Sequence, residues 1–202
     1  MIRVVLADDE TLVRDALVAV LGMQDGIEVI GQAARGDEAV ELIARLAPDV
    51  AVLDLQMPGL DGIETALAAA ARAPGVRFVI VTSHARPGYV KKALASGVAA
   101  FVPKTTSARR LAEIIRHVAG GGRYVDPELS AQAIAAGDSP LTPREADVLE
   151  LAADGAPVEE IAQRAHLSQG TVRNYLSAAA VKLGAANRHE AAVLARARGW
   201  ID

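Results

Sequence analysis

Val50-Ala51-Val52-Leu53-Asp54-Leu55-Gln56-Met57-Pro58-Gly59 begins as four residues without a polar side chain and then presents a single carboxylate. A short apolar run of this kind reads as a strand buried on both faces, and Pro58-Gly59 breaks the chain directly after it. Asp54 is therefore expected at the carboxyl end of a parallel strand, where doubly wound sheets bind their ligands.

Three further apolar or β-branched runs end in polar groups. Ile2-Arg3-Val4-Val5-Leu6-Ala7 leads into Asp8-Asp9, Val76-Arg77-Phe78-Val79-Ile80-Val81 into Thr82-Ser83, and Ala99-Ala100-Phe101-Val102 into Pro103-Lys104. A parallel sheet brings these ends to one edge and with them three carboxylates, a hydroxyl and an ammonium. Clustered carboxylates suit a hard divalent cation such as Mg2+, which also accepts phosphate oxygens. A lysine and a hydroxyl nearby supply the charge neutralisation and hydrogen bonding that a transferred phosphoryl group needs, with the Asp54 carboxylate as nucleophile. Taken singly, each residue has a plainer use. Asp8-Asp9 fits a helix N-cap before Thr11-Leu12-Val13, Lys104 a solvated lysine, Thr82 a strand-end hydroxyl and Phe101 a core residue.

Between the strands lie amphipathic helical candidates over residues 10–21, 37–46, 63–71, 89–95 and 107–118, separated by signals such as Gly22, Pro48 and Gly97. Repeated alternation of strand and helix gives a parallel sheet covered on both faces, doubly wound because the crossovers are right-handed. Gly31-Gln32-Ala33-Ala34-Arg35-Gly36 is a decoy: it has the outline of a dinucleotide-binding glycine loop but lacks the middle glycine and does not follow the first strand.

Asp8-Asp9, Asp54 with Met57-Pro58-Gly59 and Asp61-Gly62, Thr82, and Pro103-Lys104, in this order and spacing, resemble the receiver domain of bacterial two-component response regulators over residues 1–120. The resemblance implies an α/β, flavodoxin-like fold with a five-stranded, doubly wound parallel sheet. It also implies phosphorylation of Asp54 by a sensor histidine kinase, with Mg2+ held by Asp9, Asp54 and the backbone carbonyl of Gln56, and with Asp8 positioning a water of the metal. Lys104 would pair with the phosphate, Thr82 would close onto it, and Phe101 would turn inward as Thr82 moves. Gln56 and His84, each two residues beyond Asp54 and Thr82, could flank the attacking water and set the phosphoryl lifetime.

After Val118 the composition changes. Gly120-Gly121-Gly122 ends the preceding helix, and residues 121–138 read as a linker that holds a short helical candidate over 127–136 and closes on Gly137-Asp138-Ser139-Pro140. From Leu141 onward the pattern is helical throughout. Thr142-Pro143-Arg144-Glu145 caps a helix to about Ala153, with proline at its first position; Val158 to Ala165 forms the next; Ser168 caps Gln169 to Leu183; a last helix covers 188–198. Two short helices joined by a tight turn, the second polar at its start, suggest a helix-turn-helix in an all-α four-helix domain over 139–202.

Leu141-Thr142-Pro143-Arg144-Glu145, Glu160-Ile161-Ala162, Leu167-Ser168, Thr171-Val172-Arg173 and Lys182-Leu183-Gly184 are similar to the LuxR-type DNA-binding domain, so that the whole chain resembles a NarL/FixJ-type response regulator. Within that class, the stretches 84–89 and 171–176 are similar to the membrane-lipid desaturation regulators. Two positions depart from the pattern. Pro157-Val158 replaces a small hydroxyl residue followed by asparagine, and Tyr175 replaces a frequent histidine.

Charge gives a separate test. Residues 139–165 carry two basic and six acidic groups, whereas residues 166–202 carry five basic and two acidic. The positive half contains the proposed recognition helix, as contact with double-stranded DNA requires. Arg173 is the candidate for reading guanine, Asn174 and Ser177 for base or phosphate contacts, and Lys182 for phosphate, with Val172, Leu176 and Val181 as the buried face. The resemblance gives the last helix a share in a homodimer that forms on phosphorylation, with RNA polymerase a further candidate partner.

No cysteine is present among the 202 residues, which excludes disulfides and thiolate metal sites. The chain enters a strand at Met1-Ile2, leaving no room for a signal peptide, and carries no apolar run of membrane-spanning length, so a cytoplasmic protein without membrane contact is expected. An aspartyl-phosphate phosphatase of the haloacid-dehalogenase kind would need an acid/base aspartate two residues after the nucleophile. Gln56 stands there and cannot transfer the proton. A pure interaction module would leave the acidic set, Thr82 and Lys104 without a purpose. A phosphorylation-controlled DNA-binding regulator, not an enzyme, accounts for both halves.

Overall fold

A computed structural model of the chain describes residues 1–83, 87–135, 137–165 and 167–201. The expectations placed on His84 and on a helix end at Ala136 lie outside the described residues. The chain folds as two compact units, the first of residues 1–85 and 90–130 and the second containing residues 131–202.

In the first unit β1 (Ile2–Ala7), β2 (Ile27–Ala33), β3 (Val50–Asp54), β4 (Arg77–Thr82) and β5 (Ala100–Pro103) alternate with α1 (Thr11–Gly22), α2 (Gly36–Leu46), α3 (Gly62–Arg72), α4 (Pro87–Ala95) and α5 (Ala108–Ala119). The strands pair in parallel in the order β2-β1-β3-β4-β5. The winding reverses between β1 and β3, and a crevice opens beyond the carboxyl ends of the strands at such a switch point. Both faces of the sheet are buried. Val4, Leu6, Val50, Val52, Val79 and Val81 share a core with Leu21 of α1 and Leu111, Ile114 and Ile115 of α5. The alternate residues Val5, Ala51, Leu53 and Ile80 are equally inaccessible on the opposite face.

The sheet has a sixth strand where five were expected. β6 (Tyr124–Val125) runs parallel to β5, the Tyr124 N–H donating to the Ala99 carbonyl at 2.9 Å and the Asp126 N–H to that of Phe101 at 3.1 Å. Without it β5 would be an edge with unpaired backbone groups, so a two-residue segment with no sequence period is drawn into the sheet. Residues 121–126, expected as linker, thus lead into a strand before α6 (Pro127–Ala135) begins.

In the second unit α7 (Pro143–Ala153), α8 (Val158–Ala165), α9 (Gln169–Leu183) and α10 (Arg188–Ala197) surround Val148, Leu149, Ile161, Val172, Ala179, Ala191 and Ala195. Thr142 and Glu145 form a reciprocal capping box at the start of α7, and the Ser168 hydroxyl accepts the Thr171 N–H at 3.1 Å to cap α9. At Pro157-Val158, where the usual cap is missing, Glu159 and Glu160 in the first turn of α8 complement the helix dipole. Tyr175 is partly buried against the core.

Val181, expected inside, is 77% exposed. It lies nine residues after Val172, which at about 100° per residue places it on the opposite side of the helix. The buried stripe runs instead through Val172, Leu176 and Ala179. Among the described residues no helix is long and apolar enough to cross a membrane.

Candidate functional site

The β1 and β3 ends bring Asp8 and Asp54 to the switch point, and the β5 end brings Lys104. The Lys104 ammonium lies 2.9 Å from Asp8 Oδ2, 2.9 Å from Glu10 Oε1 and 3.3 Å from Asp54 Oδ2. Its own backbone N–H donates to the Thr82 carbonyl at 2.7 Å, which ties the strand end bearing the lysine to the one bearing the buried hydroxyl. Asp8, Asp9 and Asp54 each offer a carboxylate oxygen within 4.8 Å of the others, Asp9 from the exposed rim. Three hard oxygen donors at this spacing, with no nitrogen or sulfur ligand among them, fit a hard divalent cation.

The alternative reading of Asp8-Asp9 as a helix cap is not realised. Glu10 occupies the N-cap position of α1 and makes no side-chain cap bond. Asp8 Oδ1 instead accepts the Glu10 N–H at 2.9 Å, leaving Oδ2 for Lys104. Gln56 is exposed in the loop after β3, and Phe101 is fully buried in β5, so in this state its ring is part of the core.

Burial pushes the Asp54 carboxyl up to about 6, the nearby Lys104 charge opposing the rise and the Asp8 charge adding to it. At neutral pH the group is still mainly carboxylate, the nucleophilic form. Burial alone would lower the Lys104 ammonium, but hydrogen bonds to Asp8 and Glu10 and the charges of Asp54 and Asp8 overcome it and raise it. Glu10 is held below the usual carboxylate range by its hydrogen bond to Lys104 and the lysine's charge.

On α9, Arg173, Asn174, Ser177 and Val181 lie on the exposed side. The Arg173 guanidinium donates to Gln169 Oε1 at 3.1 Å, a contact one turn back that leaves the side chain exposed. Lys182 is not on this face. Its ammonium is 2.7 Å from Glu145 Oε2, a buried carboxylate at the start of α7.

The sequence matches the response regulator receiver domain family over residues 4–116 and the luxR family of bacterial regulatory proteins over residues 139–195. It is 38% identical over 200 residues to the transcriptional regulatory protein DesR of Bacillus subtilis, spanning 99% of both chains. This chain belongs to the two-component response regulators. The regulator is also 40% identical over 201 residues to the response regulator RamR of Streptomyces coelicolor, spanning 99% of this chain and 98% of that protein. The crystal structure of the response regulator ChrA, from a heme-sensing two-component system, matches 99% of this chain and 98% of its own with a TM-score of 0.59 at 30% identity. The regulator thus joins a receiver to a LuxR-type DNA-binding domain, the architecture of transcriptional response regulators.

Four residues take structural roles that the local sequence does not reveal. Gly36, in the supposed dinucleotide loop, starts α2 with its N–H on the Pro58 carbonyl at 3.1 Å; a Cβ there would overlap the Leu60 carbonyl oxygen. Gly62 lies so close to the Asp54 carbonyl that any side chain would displace the loop after β3. These glycines allow that loop to fold tightly beside the carboxylates. Glu10 and Glu145 were legible only as, respectively, a third acidic residue after Asp8-Asp9 and a capping glutamate. Their lysine partners lie 94 and 37 positions away.

Proposed function

We propose that the regulator is switched by phosphoryl transfer to Asp54 from a sensor histidine kinase, and that the phosphorylated form dimerises and binds its operator more tightly. The observation that carries the proposal is Asp54 itself, buried at a strand end 3.3 Å from Lys104 and beside Asp8 and Asp9. A carboxylate oxygen of Asp54 forms a bond to phosphorus as the bond from phosphorus to the kinase's phosphohistidine nitrogen breaks. The electron pair of that bond stays on the imidazole. Asp8, Asp9, Asp54 and the backbone carbonyl of Gln56 are the residues to hold Mg2+. When bound, the cation offsets the charge of the carboxylates and the phosphoryl oxygens. Lys104 and Thr82 then engage phosphoryl oxygens, and Phe101 follows Thr82.

The added charge and acceptor oxygens bias a two-state receiver. Residues 1–126 act as the receiver, with β6 as the last strand of its sheet, 127–138 connect, and 139–202 bind DNA through Arg173, Asn174 and Ser177. Two linked recognition helices gain affinity for adjacent half-sites through effective concentration.

Incubation with acetyl phosphate and Mg2+ is expected to add one phosphoryl group by intact mass. Asp54→Asn should abolish the label, and light scattering should show a shift from monomer to dimer in the labelled parent only. Undiminished labelling of Asp54→Asn overturns the site. Unchanged molar mass and operator affinity after full labelling overturn the switch.

A further inference from the structure

Lys104 is fully committed. An ammonium has three N–H donors and no acceptor, and here the group sits against three carboxylates, on Asp8, Glu10 and Asp54. For the ammonium to bind a phosphoryl oxygen on Asp54, at least one donor must be released. The three partners differ in how readily they let go. Asp8 is buried, is fixed by the Glu10 N–H, and has no solvent to turn to. Asp54 is the residue being modified. The Glu10 side chain is 58% exposed, so it can swing into water with its solvation restored.

We propose that Glu10 is a positioning residue that occupies Lys104 in the unphosphorylated state and gives up its place to the phosphoryl group. Glu10 acts through Lys104, its ion-pair partner at 2.9 Å. The lysine is thereby kept oriented before transfer, and each transfer must displace one exposed ion pair. Loss of Glu10 leaves a donor of Lys104 free for the phosphoryl donor, so transfer is faster. Because the pair is exposed on the Glu10 side, the gain is small, about three-fold.

The inference rests on Asp54 as phosphoacceptor, and the two can fail separately. The full chain is treated with acetyl phosphate and Mg2+, and the initial labelling rate is followed by intact mass. In this reaction an Asp54 oxygen bonds to phosphorus as acetate departs with the electron pair of the broken P–O bond. Glu10→Ala, Lys104→Ala and the double variant form a cycle with the parent. Glu10→Ala is expected to label about three-fold faster than the parent and to have no effect in the Lys104→Ala background. Equal acceleration in both backgrounds would mean that Glu10 acts only as a repelling charge, and it overturns the proposal, as does an unchanged or slower rate. Either result, with the parent still labelled at Asp54, leaves the phosphoacceptor standing; an unlabelled parent overturns the phosphoacceptor instead.

A second reading is independent of turnover. In unlabelled protein without Mg2+, Glu10→Ala should speed hydrogen exchange of the Lys104 ammonium, observed by 15N NMR, because one N–H passes to water. Unchanged exchange overturns the proposal even if Lys104→Ala labels too slowly to measure.

Discussion

In the receiver, Asp8, Asp54 and Lys104 are withdrawn from water, whereas on the DNA-binding unit Arg173, Asn174 and Ser177 stand on the open side of α9. The two arrangements carry different energetic burdens. Buried charges must be compensated by one another, and a buried pair adds little or nothing to stability compared with apolar packing of the same volume. The receiver site is therefore held in place by its surroundings: the apolar strands behind it and the glycines that let the β3–α3 loop close. The exposed residues of α9 impose no such burden, and the second unit draws its stability from elsewhere, including Glu145 and its partner Lys182. If this contrast is right, substitutions that support the receiver site should damage fold and function together. Substitutions on the open face of α9 should separate the two.

The largest effect is expected at Gly62. A Cβ there would overlap the Asp54 carbonyl oxygen and crowd the Leu55 backbone, and relief requires the backbone beneath the Asp54 carboxylate to move. Gly62→Ala should lower the stability measured by far-UV circular dichroism by about 3 kcal/mol and suppress acetyl phosphate labelling with it. Gly75→Ala is the matched control, since a Cβ there meets nothing within 4 Å, and it should stay within about 0.5 kcal/mol of the parent. A stable, normally labelled Gly62→Ala would show that the loop does not support the site.

Much of this contrast is legible in the sequence, and the exceptions have a common cause. The carboxylates at strand ends could be read because apolar runs and chain breaks are local signals. The caps at Thr142 and Ser168 are equally local. β6 could not be read because the edge of β5 decides it, not any periodicity in Tyr124-Val125. The necessity of Gly36 lies in a carbonyl at Leu60, on another loop, so the local sequence offered only a false phosphate-loop outline. Glu10 and Glu145 gain their roles from lysines far along the chain. Val181 differs: its register on α9 follows from spacing alone, since nine residues after Val172 is about two and a half turns and lies opposite the buried stripe.

An intermediate effect is expected at Glu145. The carboxylate accepts from Lys182 and from the Thr142 N–H, both at 2.7 Å, and these bonds, the lysine's first, hold it below the ordinary glutamate range. A folded value below the unfolded one means that the stabilisation is present above the unfolded value, about 4.3, and is lost as pH falls through the folded value. Glu145→Gln keeps a cap acceptor but loses the charge, and should destabilise the second unit by about 1–2 kcal/mol at pH 7. Trp200, the only tryptophan, packs against that core and reports its unfolding by fluorescence. The gap between variant and parent should close as pH falls below about 4.3; a gap that persists would mean that the ion pair is not its source.

The smallest effect on the fold is expected at Arg173, where the effect on recognition should be largest. Its contact with Gln169 is an exposed one within a single helix, so Arg173→Ala should change stability by no more than about 0.5 kcal/mol by Trp200 fluorescence. If its guanidinium reads a guanine edge, the same substitution should remove about 1–3 kcal/mol of discrimination between operator and scrambled DNA, measured at fixed salt because phosphate contacts vary with ionic strength. Lys182 supplies the opposite case. The sequence offered it as a phosphate partner, but its ammonium is engaged with a buried glutamate, and Lys182→Ala leaves that carboxylate without its counter-charge. Lys182→Ala should therefore resemble Glu145→Gln in lowering stability while keeping operator preference once the folded fraction is taken into account. Operator discrimination lost in Lys182→Ala and kept in Arg173→Ala would invert the assignment and move the reading face of α9 toward α7.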